Sequence, residues 1–268
     1  MSVVRDTSGA QRSSLRWVAS DILTITQRDL LALVRIPTAL VFAFVQPIMF
    51  VLLFRYVFGG AIPVPAVYGG YVNYLIPGIL VQTMIFGAIG TAIGLAEDLQ
   101  KGLIERFRAL PMTRLAVLGG RTMSDLTRNV VVLLVITAIG FGVGFRPGGG
   151  FTHYVAASLI MLLFAYSISW GFAYIGLAAP NSETAQAMAF PIIFPLTFAS
   201  TVFVNTQNMP EWLRVFANNQ PVSQVTNAVR WLMDGVPTGN SVWVALLWTA
   251  GIFVVLVPLS TARYRRAA

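Results

Sequence analysis

Six long apolar stretches, separated by polar segments, dominate the hydrophobic pattern of this chain. A helix that crosses a hydrocarbon layer of about 30 Å needs about 20 mostly apolar residues, because lipid offers no partner to exposed backbone groups. The stretches cover residues 38–58, 74–96, 129–145, 154–179, 184–204 and 241–261. The sequence lacks the regular alternating segments that build a transmembrane barrel. We therefore predict an all-α polytopic membrane protein with six transmembrane helices.

Composition supports the membrane prediction. Of 268 residues, 56% are hydrophobic and 10% are charged, and the mean hydropathy is +0.74. A typical soluble domain carries about 25% charged residues, and disordered chains combine low hydrophobicity with high charge. Cysteine is absent, which excludes disulfides, thiolate metal sites and cysteine nucleophiles.

The net charge of +8 could indicate nucleic acid as a partner, but the basic residues are unevenly placed. Fourteen of the 18 lie in residues 1–37, 97–128 and 262–268, and the other four lie in the alternate segments. Basic residues stay on the cytoplasmic side of a membrane. We therefore predict a bacterial plasma-membrane protein with both termini in the cytoplasm and no nucleic-acid partner. The polar segment before Thr38 favours a retained first span over a cleaved signal peptide.

Charged side chains are nearly absent from the predicted spans. Arg55, at the outer end of the first span, is the one charge in all six. Ion-coupled transporters and aspartyl intramembrane proteases need carboxylates at membrane depth, so both classes are disfavoured. Lys101, the single lysine, is flanked by Gln100 and Gly102, so no Walker A motif exists. The chain is either a passive channel or the membrane part of a machine whose motor is another protein.

The longest cytoplasmic segment, residues 97–128, contains the clearest functional pattern. Apolar residues recur at helical spacing at Leu99, Leu103, Phe107 and Leu110, which predicts an amphipathic helix closed by Pro111. Such a helix could simply lie on lipid headgroups.

The residues of this segment resemble the cytoplasmic loop of the ABC-2 type permeases, the membrane subunits of ABC exporters that include the daunorubicin-resistance permeases. The similarity rests on the acidic pair at the start of the segment, Gly102, the Glu-Arg-x-Arg pattern at 105–108, Leu-Pro-Met-Thr-Arg at 110–114 and Gly-Arg at 120–121. In that family the loop carries a coupling helix that fits a cleft on the nucleotide-binding subunit. The resemblance implies contact roles for Gly102, Glu105, Arg106, Arg108 and Pro111, with Glu97, Asp98, Arg114 and Arg121 in support.

Two further segments carry the same resemblance. Residues 206–238 include Asn-Met-Pro-Glu-Trp and Asn-Asn-Gln-Pro, and they resemble a short helical hairpin in the outer leaflet. An apolar stripe through Val222, Val225, Val229 and Leu232 is expected there, with Ser223, Asn227, Arg230 and Asp234 opposite. Residues 14–37 resemble an amphipathic interfacial helix that precedes the first span. We expect residues 1–13 to be disordered and residues 262–268 to form a cytoplasmic tail.

The resemblance implies a permease subunit that moves an amphipathic drug or lipid out of the cytoplasm or inner leaflet. ATP and Mg would be bound by two copies of a separate ATPase subunit, and a second permease, identical or homologous, would complete the pore. The chain itself is expected to hold no cofactor, metal or catalytic residue and to be no enzyme alone. An exporter of lipid-linked polysaccharide, a stand-alone channel and a membrane scaffold are the alternatives.

Polar and aromatic side chains within the spans are the candidates for a substrate pathway. They are Gln46, Gln82, Thr83, Phe194 and Phe198. The pairs Gly90 with Gly94 and Gly140 with Gly144 predict close packing between helices.

Overall fold

The computed structural model describes residues 15–35, 37–59, 62, 64–103, 114–235 and 239–266. These residues form ten α-helices and no strand. The helices are α1 Leu15–Arg35, α2 Pro37–Leu53, α3 Tyr71–Gly87, α4 Ile89–Gln100, α5 Arg114–Gly142, α6 Gly150–Ala178, α7 Ser182–Phe198, α8 Glu211–Asn219, α9 Pro221–Asp234 and α10 Ser241–Arg266. A π-helical turn, Phe54–Phe58, extends α2, and short 3-10 turns cover Ala66–Tyr68 and Thr206–Asn208. The all-α prediction is confirmed for this part of the chain.

Within the described residues, four helical segments are long and apolar enough to cross a membrane. They are Tyr71–Gln100, which joins α3 and α4, then Val117–Gly142, Gly150–Ala178 and Ser241–Arg266. They correspond to the second, third, fourth and sixth predicted spans. Phe44–Phe58 is a shorter apolar helix, and α7 has 17 residues. The count of six spans therefore stays a prediction.

The third span begins earlier than predicted and contains charge. The sequence indicated residues 129–145, whereas α5 starts at Arg114 and ends at Gly142. The candidate span therefore includes Arg121, Asp125 and Arg128, which an average of hydropathy assigns to a loop. These side chains form ion pairs, so they can lie on a helix among apolar neighbours without leaving an uncompensated charge.

Helix α6 lies at the centre of the bundle and packs against α4, α5, α9 and α10. Gly176 of α6 faces the backbone of Ala92 of α4 with no room for a Cβ atom, so these two helices pack closely. The largest apolar core joins α3, α4, α6 and α9 through fully buried side chains such as Leu75, Phe164 and Val229. A smaller core joins α1, through Ile25, to α5, α6 and α10.

The segment predicted to be an outer hairpin consists of α8 and α9. Gln220 caps α9 by accepting a hydrogen bond from the amide of Val222, and Pro221 occupies the first turn, where its missing N–H costs nothing. Gly235 ends the helix with a positive φ of 68°. We call the side of the bundle that carries α8 and α9 the hairpin end.

Arg230 attaches this hairpin to the bundle. The prediction placed Arg230 opposite the apolar stripe of α9, but both faces are covered and Arg230 is 0% exposed. Its guanidinium donates to the carbonyl oxygens of Tyr74 at 2.9 Å, Thr201 at 2.7 Å and Val202 at 2.7 Å. The same cation lies 3.5 Å from the centre of the Tyr74 ring. One side chain thereby joins α9 to α3 and to the turn after α7.

Replacing Arg230 by methionine should destabilise the protein strongly. The substitution removes three buried hydrogen bonds from a charged donor, although the Thr201 carbonyl keeps a bond from the Tyr74 hydroxyl at 2.9 Å. Hydrogen bonds to charged groups contribute about 1.5 to 3 kcal/mol each, so we expect a loss of about 3 kcal/mol or more. Thermal unfolding in detergent, followed by tryptophan fluorescence, measures the effect. Arg214→Met is the matched control, because Arg214 lies exposed on α8. Equal melting temperatures for the two variants would contradict the anchoring role of Arg230.

Asp234 should make the stability of the hairpin end depend on pH. Both carboxylate oxygens are buried without a hydrogen-bond partner among the described residues. Burial raises the pKa of Asp234 to about 7, although the positive charge of Arg230 lowers it. The pKa of Asp234 in the folded protein therefore lies above its value of about 4 in the unfolded chain. Its contribution to the free energy of unfolding is fully present below about pH 4 and is lost as the pH rises through 7.

We therefore expect the wild-type protein to lose about 2 kcal/mol between pH 5 and pH 8 at this site, and Asp234→Asn to remove that slope. Melting temperatures across this pH range test the expectation. Glu211→Gln, which changes an exposed carboxylate on α8, should keep the wild-type slope. A slope that survives in Asp234→Asn would show that another group causes it.

Candidate functional site

A cavity of about 330 Å³ lies between α2, α3, α4, α5 and α7. Its polar lining residues are Gln46, Gln82, Thr83, Arg128, Asn129 and Gln186. Its apolar lining residues include Pro47, Phe50, Phe86, Ile89, Ile93, Val132 and Phe190. Clefts that bind small molecules have this volume and this mixture of apolar surface with a few convergent polar groups. We call this space the polar cavity.

The polar cavity brings together three of the five predicted pathway residues. Gln46 of α2 and Gln82 and Thr83 of α3 all line it. Phe194 and Phe198 lie further along α7, where their rings stack with centroids 4.4 Å apart and remain partly exposed. The role of all five in transport stays a prediction, but their positions divide them into a polar group and an aromatic group.

Arg128, Asn129 and Gln186 line the cavity and were not predicted to do so. Arg128 was assigned to a loop, and an isolated asparagine or glutamine carries no signal of its own. A pattern does exist in the sequence: Arg121, Asp125 and Arg128 follow one another at helical spacing, as Gly87, Gly90 and Gly94 do. Only the structure reveals that these two patterns face each other.

The guanidinium of Arg128 lies against α3 and α4 at a place where both lack side chains. It donates to the carbonyl oxygen of Gly87 at 2.6 Å and pairs with Asp125 at 3.3 Å. A Cβ atom at Gly87 would stand 2.6 Å from the guanidinium nitrogen, and one at Gly90 would stand 3.0 Å away. The helix is interrupted here, since the amide of Thr91 bonds the carbonyl of Ala88, three residues earlier.

Arg121 binds one turn further along the same surface. It donates to the carbonyl oxygen of Gly90 at 3.0 Å and lies 3.6 Å from Asp29 of α1. A Cβ atom at Gly94 would overlap its guanidinium. Gly87, Gly90 and Gly94 therefore form a groove for two arginines, which we call the arginine groove. The prediction that Gly90 and Gly94 serve close packing between helices is corrected in one respect, because these glycines make room for arginine side chains. Gly140, by contrast, packs against Ile76 of α3.

Ion pairs continue from the arginine groove to α1 and to the end of α4. Arg28 of α1 contacts its neighbour Asp29 at 2.6 Å and Asp98 of α4 at 3.2 Å. The ion pairs form two groups, Arg28–Asp29–Asp98–Arg121 and Asp125–Arg128, and an electrostatic interaction between Arg121 and Asp125 on α5 links them. We call these six residues, three positive and three negative, the charge network. Thr26 adds a neutral bond to the carbonyl oxygen of Gly120 at 3.0 Å. The network connects the polar cavity to the chain end of α4.

The predicted coupling segment is partly described. Glu97 and Asp98 lie in the last turn of α4, where Glu97 pairs with Lys101 at 3.0 Å. Gly102 has a φ of 64° and follows the end of that helix. The predicted helix over residues 99–110 is therefore wrong in its start, because Leu99 belongs to α4 and the left-handed glycine separates it from Leu103.

The remaining predicted coupling residues divide into two groups. Glu105, Arg106, Arg108 and Pro111 lie outside the described residues. Arg114 is the first residue of α5, and Arg121 belongs to the charge network rather than to a loop. The loop predicted over residues 97–128 is consequently shorter, since its two ends are helical.

These features define a class: a multi-pass helical membrane protein with a polar cavity inside the bundle and a charge network leading from it. Residues 20–233 match the model of the family described as ABC-2 type transporter. The chain belongs to the ABC-2 type transporter family.

Two relatives illustrate its place in that family. It is 33% identical over 258 residues to the daunorubicin resistance ABC transporter permease protein DrrB1 of Streptomyces coeruleorubidus. That alignment covers 96% of this chain and 90% of the relative. It is 26% identical over 195 residues to the doxorubicin resistance ABC transporter permease protein DrrB of Mycobacterium tuberculosis, with 70% and 68% covered. The predicted family resemblance is confirmed.

The substitution Gly94→Ala should destabilise the protein even though alanine favours helix by about 1 kcal/mol over glycine. Its methyl group would displace the guanidinium of Arg121 and break the bonds to Gly90 and Asp29. Gly251→Ala on α10 is the matched control, because a Cβ atom there meets nothing within 4 Å. We expect the melting temperature to fall for Gly94→Ala and to hold or rise for Gly251→Ala; a rise in both would contradict the groove.

Proposed function

We propose that this chain is the permease subunit of an ABC exporter that moves an amphipathic drug or lipid out of the cytoplasm or inner leaflet. A separate chain binds ATP and Mg, in two copies per complex, and a second permease completes the translocation pore. The chain lies in a bacterial plasma membrane with both termini in the cytoplasm. Family membership, and the names of relatives that are drug-resistance permeases, support the proposal.

The polar cavity is the observation that carries the proposal. Its lining combines amide groups and a guanidinium with phenylalanine rings and aliphatic side chains. A molecule with a polar part and an apolar part can contact both kinds of group, whereas a small inorganic ion leaves the apolar side chains without a partner. A cavity built for an amphiphile also favours this function over that of a scaffold.

The charge network supports a mechanical role for the segment between α4 and α5. Asp98 lies in the last turn of α4 and Arg121 lies in the early part of α5, and both belong to the charge network, which also includes Arg128. A push on the segment by an ATPase would shift α4 against α5 and so change the width of the arginine groove. Because the cavity uses the same helices, its shape would follow.

Reversing charge in the proposed coupling segment should uncouple ATP hydrolysis from transport. We expect Glu105→Arg or Arg108→Glu to reduce ATP-driven export about tenfold or more, since a like-charge contact at an interface costs several kcal/mol. Proteoliposomes that contain the permease and its ATPase measure export and substrate-stimulated hydrolysis together.

Arg214→Glu supplies the control for this test, because the reversal lies on exposed α8. It should leave export intact. Unchanged export in Glu105→Arg and Arg108→Glu, with normal membrane insertion, would show that the ATPase does not act through that segment. Solute conduction by the chain without any ATPase would instead favour a channel.

A further inference from the structure

We infer that the polar cavity selects amphiphiles by headgroup, taking an anionic phosphate-bearing headgroup with hydroxyl groups and rejecting a cationic one. The site would hold the headgroup of an anionic phospholipid. This inference rests on the proposed function and adds the chemical class of the substrate.

Space for an acyl chain adjoins the cavity directly. A groove of about 320 Å³ runs along the outside of α2 and is lined by Val45, Gln46, Met49, Phe50 and Leu53. Gln46 and Phe50 also line the polar cavity, so the two spaces have these two lining residues in common. Met49 is 59% exposed, which leaves the groove open to surrounding hydrocarbon. A headgroup in the cavity and a chain in the groove would occupy both.

The charge of the residues that line the polar cavity favours a negatively charged headgroup. Among the described residues that line the cavity, Arg128 is the one that carries charge. Its partner Asp125 is in contact through one oxygen and belongs to α5 outside the lining, so no described carboxylate faces the cavity. A phosphate can accept from the guanidinium in a charge-assisted hydrogen bond, whereas a quaternary ammonium offers the guanidinium no acceptor.

Gln82 sets the requirement for a donor. It is 2% exposed, it lines the cavity, and its carbonyl oxygen Oε1 has no hydrogen-bond partner among the described residues. Buried polar atoms are normally paired, so this oxygen calls for a donor from whatever occupies the site. A hydroxyl group can supply that donor beside Arg128 without adding positive charge, which an ammonium group cannot do. Thr83, Asn129 and Gln186 offer further neutral partners.

The test compares headgroups on identical acyl chains. Permease and ATPase are reconstituted in phosphatidylcholine vesicles that contain a trace of one acyl-labelled fluorescent lipid. The three probes are phosphatidylglycerol, which is anionic and carries hydroxyls, phosphatidylcholine, which is zwitterionic, and O-ethylphosphatidylcholine, which is cationic. Reduction of the label by dithionite from outside reports ATP-driven translocation between leaflets.

We expect wild-type protein to move phosphatidylglycerol about tenfold or more faster than O-ethylphosphatidylcholine, the factor expected for one charge-assisted hydrogen bond. Arg128→Gln should abolish this preference. Arg121→Gln is the matched control, because Arg121 sits in the same arginine groove and charge network but does not line the cavity, and it should keep the preference. The wild-type ranking tests the inference even if Arg128→Gln does not fold.

The other outcomes separate this inference from the proposed function. ATP-driven movement of all three lipids at one rate, or a preference for the cationic lipid, would overturn the inference and leave the proposed function standing. Inorganic phosphate should not compete, because it lacks the apolar part; competition as strong as that of phosphatidylglycerol would mean a phosphate site instead. If no amphiphile moves with ATP, the proposed function itself fails.

Discussion

Buried arginines held by backbone carbonyl oxygens organise this bundle. A guanidinium in apolar surroundings is costly unless its donors are satisfied, and here helix ends and interruptions supply the acceptors. Arg230 uses three carbonyls where α3 begins and where the turn after α7 ends. Arg121 and Arg128 use the carbonyls of Gly90 and Gly87, beside the break between α3 and α4. Each arginine thereby fixes the position of one helix relative to another.

The arginine groove also explains why the cavity has its chemistry. An unbroken helix of larger residues would fill the space that Arg128 occupies, so the glycines and the interruption at Ala88 create both a site for the guanidinium and a wall for the cavity. The charge network then extends the same contact to α1 and to the end of α4. Because Arg121 and Arg128 lie on the same helix, a movement at that end of α4 would act on the helix that supplies part of the cavity lining. This shared helix is the physical basis of the proposed coupling.

Sequence patterns predicted much of the fold because long apolar runs and turn residues act locally. The helical bundle and the two short helices α8 and α9 between the fifth and sixth predicted spans could be predicted in this way. The start of α5 could not be predicted, because a hydropathy average does not detect ion pairs. Arg121 pairs with Asp29 of α1, and Asp125 pairs with Arg128 on the same helix. The burial of Arg230 depends on carbonyl oxygens from α3 and from the turn after α7, which lie far away in the sequence. Gly102, with its positive φ, ends the helix despite the helical spacing of Leu99 and Leu103. In each case a contact between segments, or one backbone angle, outweighed the local pattern.

The central claim is that the polar cavity is the transport path. Because the sequence has no cysteine, one introduced thiol can be modified selectively to test this claim directly. Thr83→Cys places a single thiol in the cavity wall, and Thr127→Cys places one beside Arg128 on the exposed side of α5. The measurement is ATP-driven lipid export in proteoliposomes before and after modification with a maleimide. The account predicts that modification at residue 83 blocks export, that substrate slows the modification, and that modification at residue 127 has little effect. Full export after complete modification at residue 83 would contradict it.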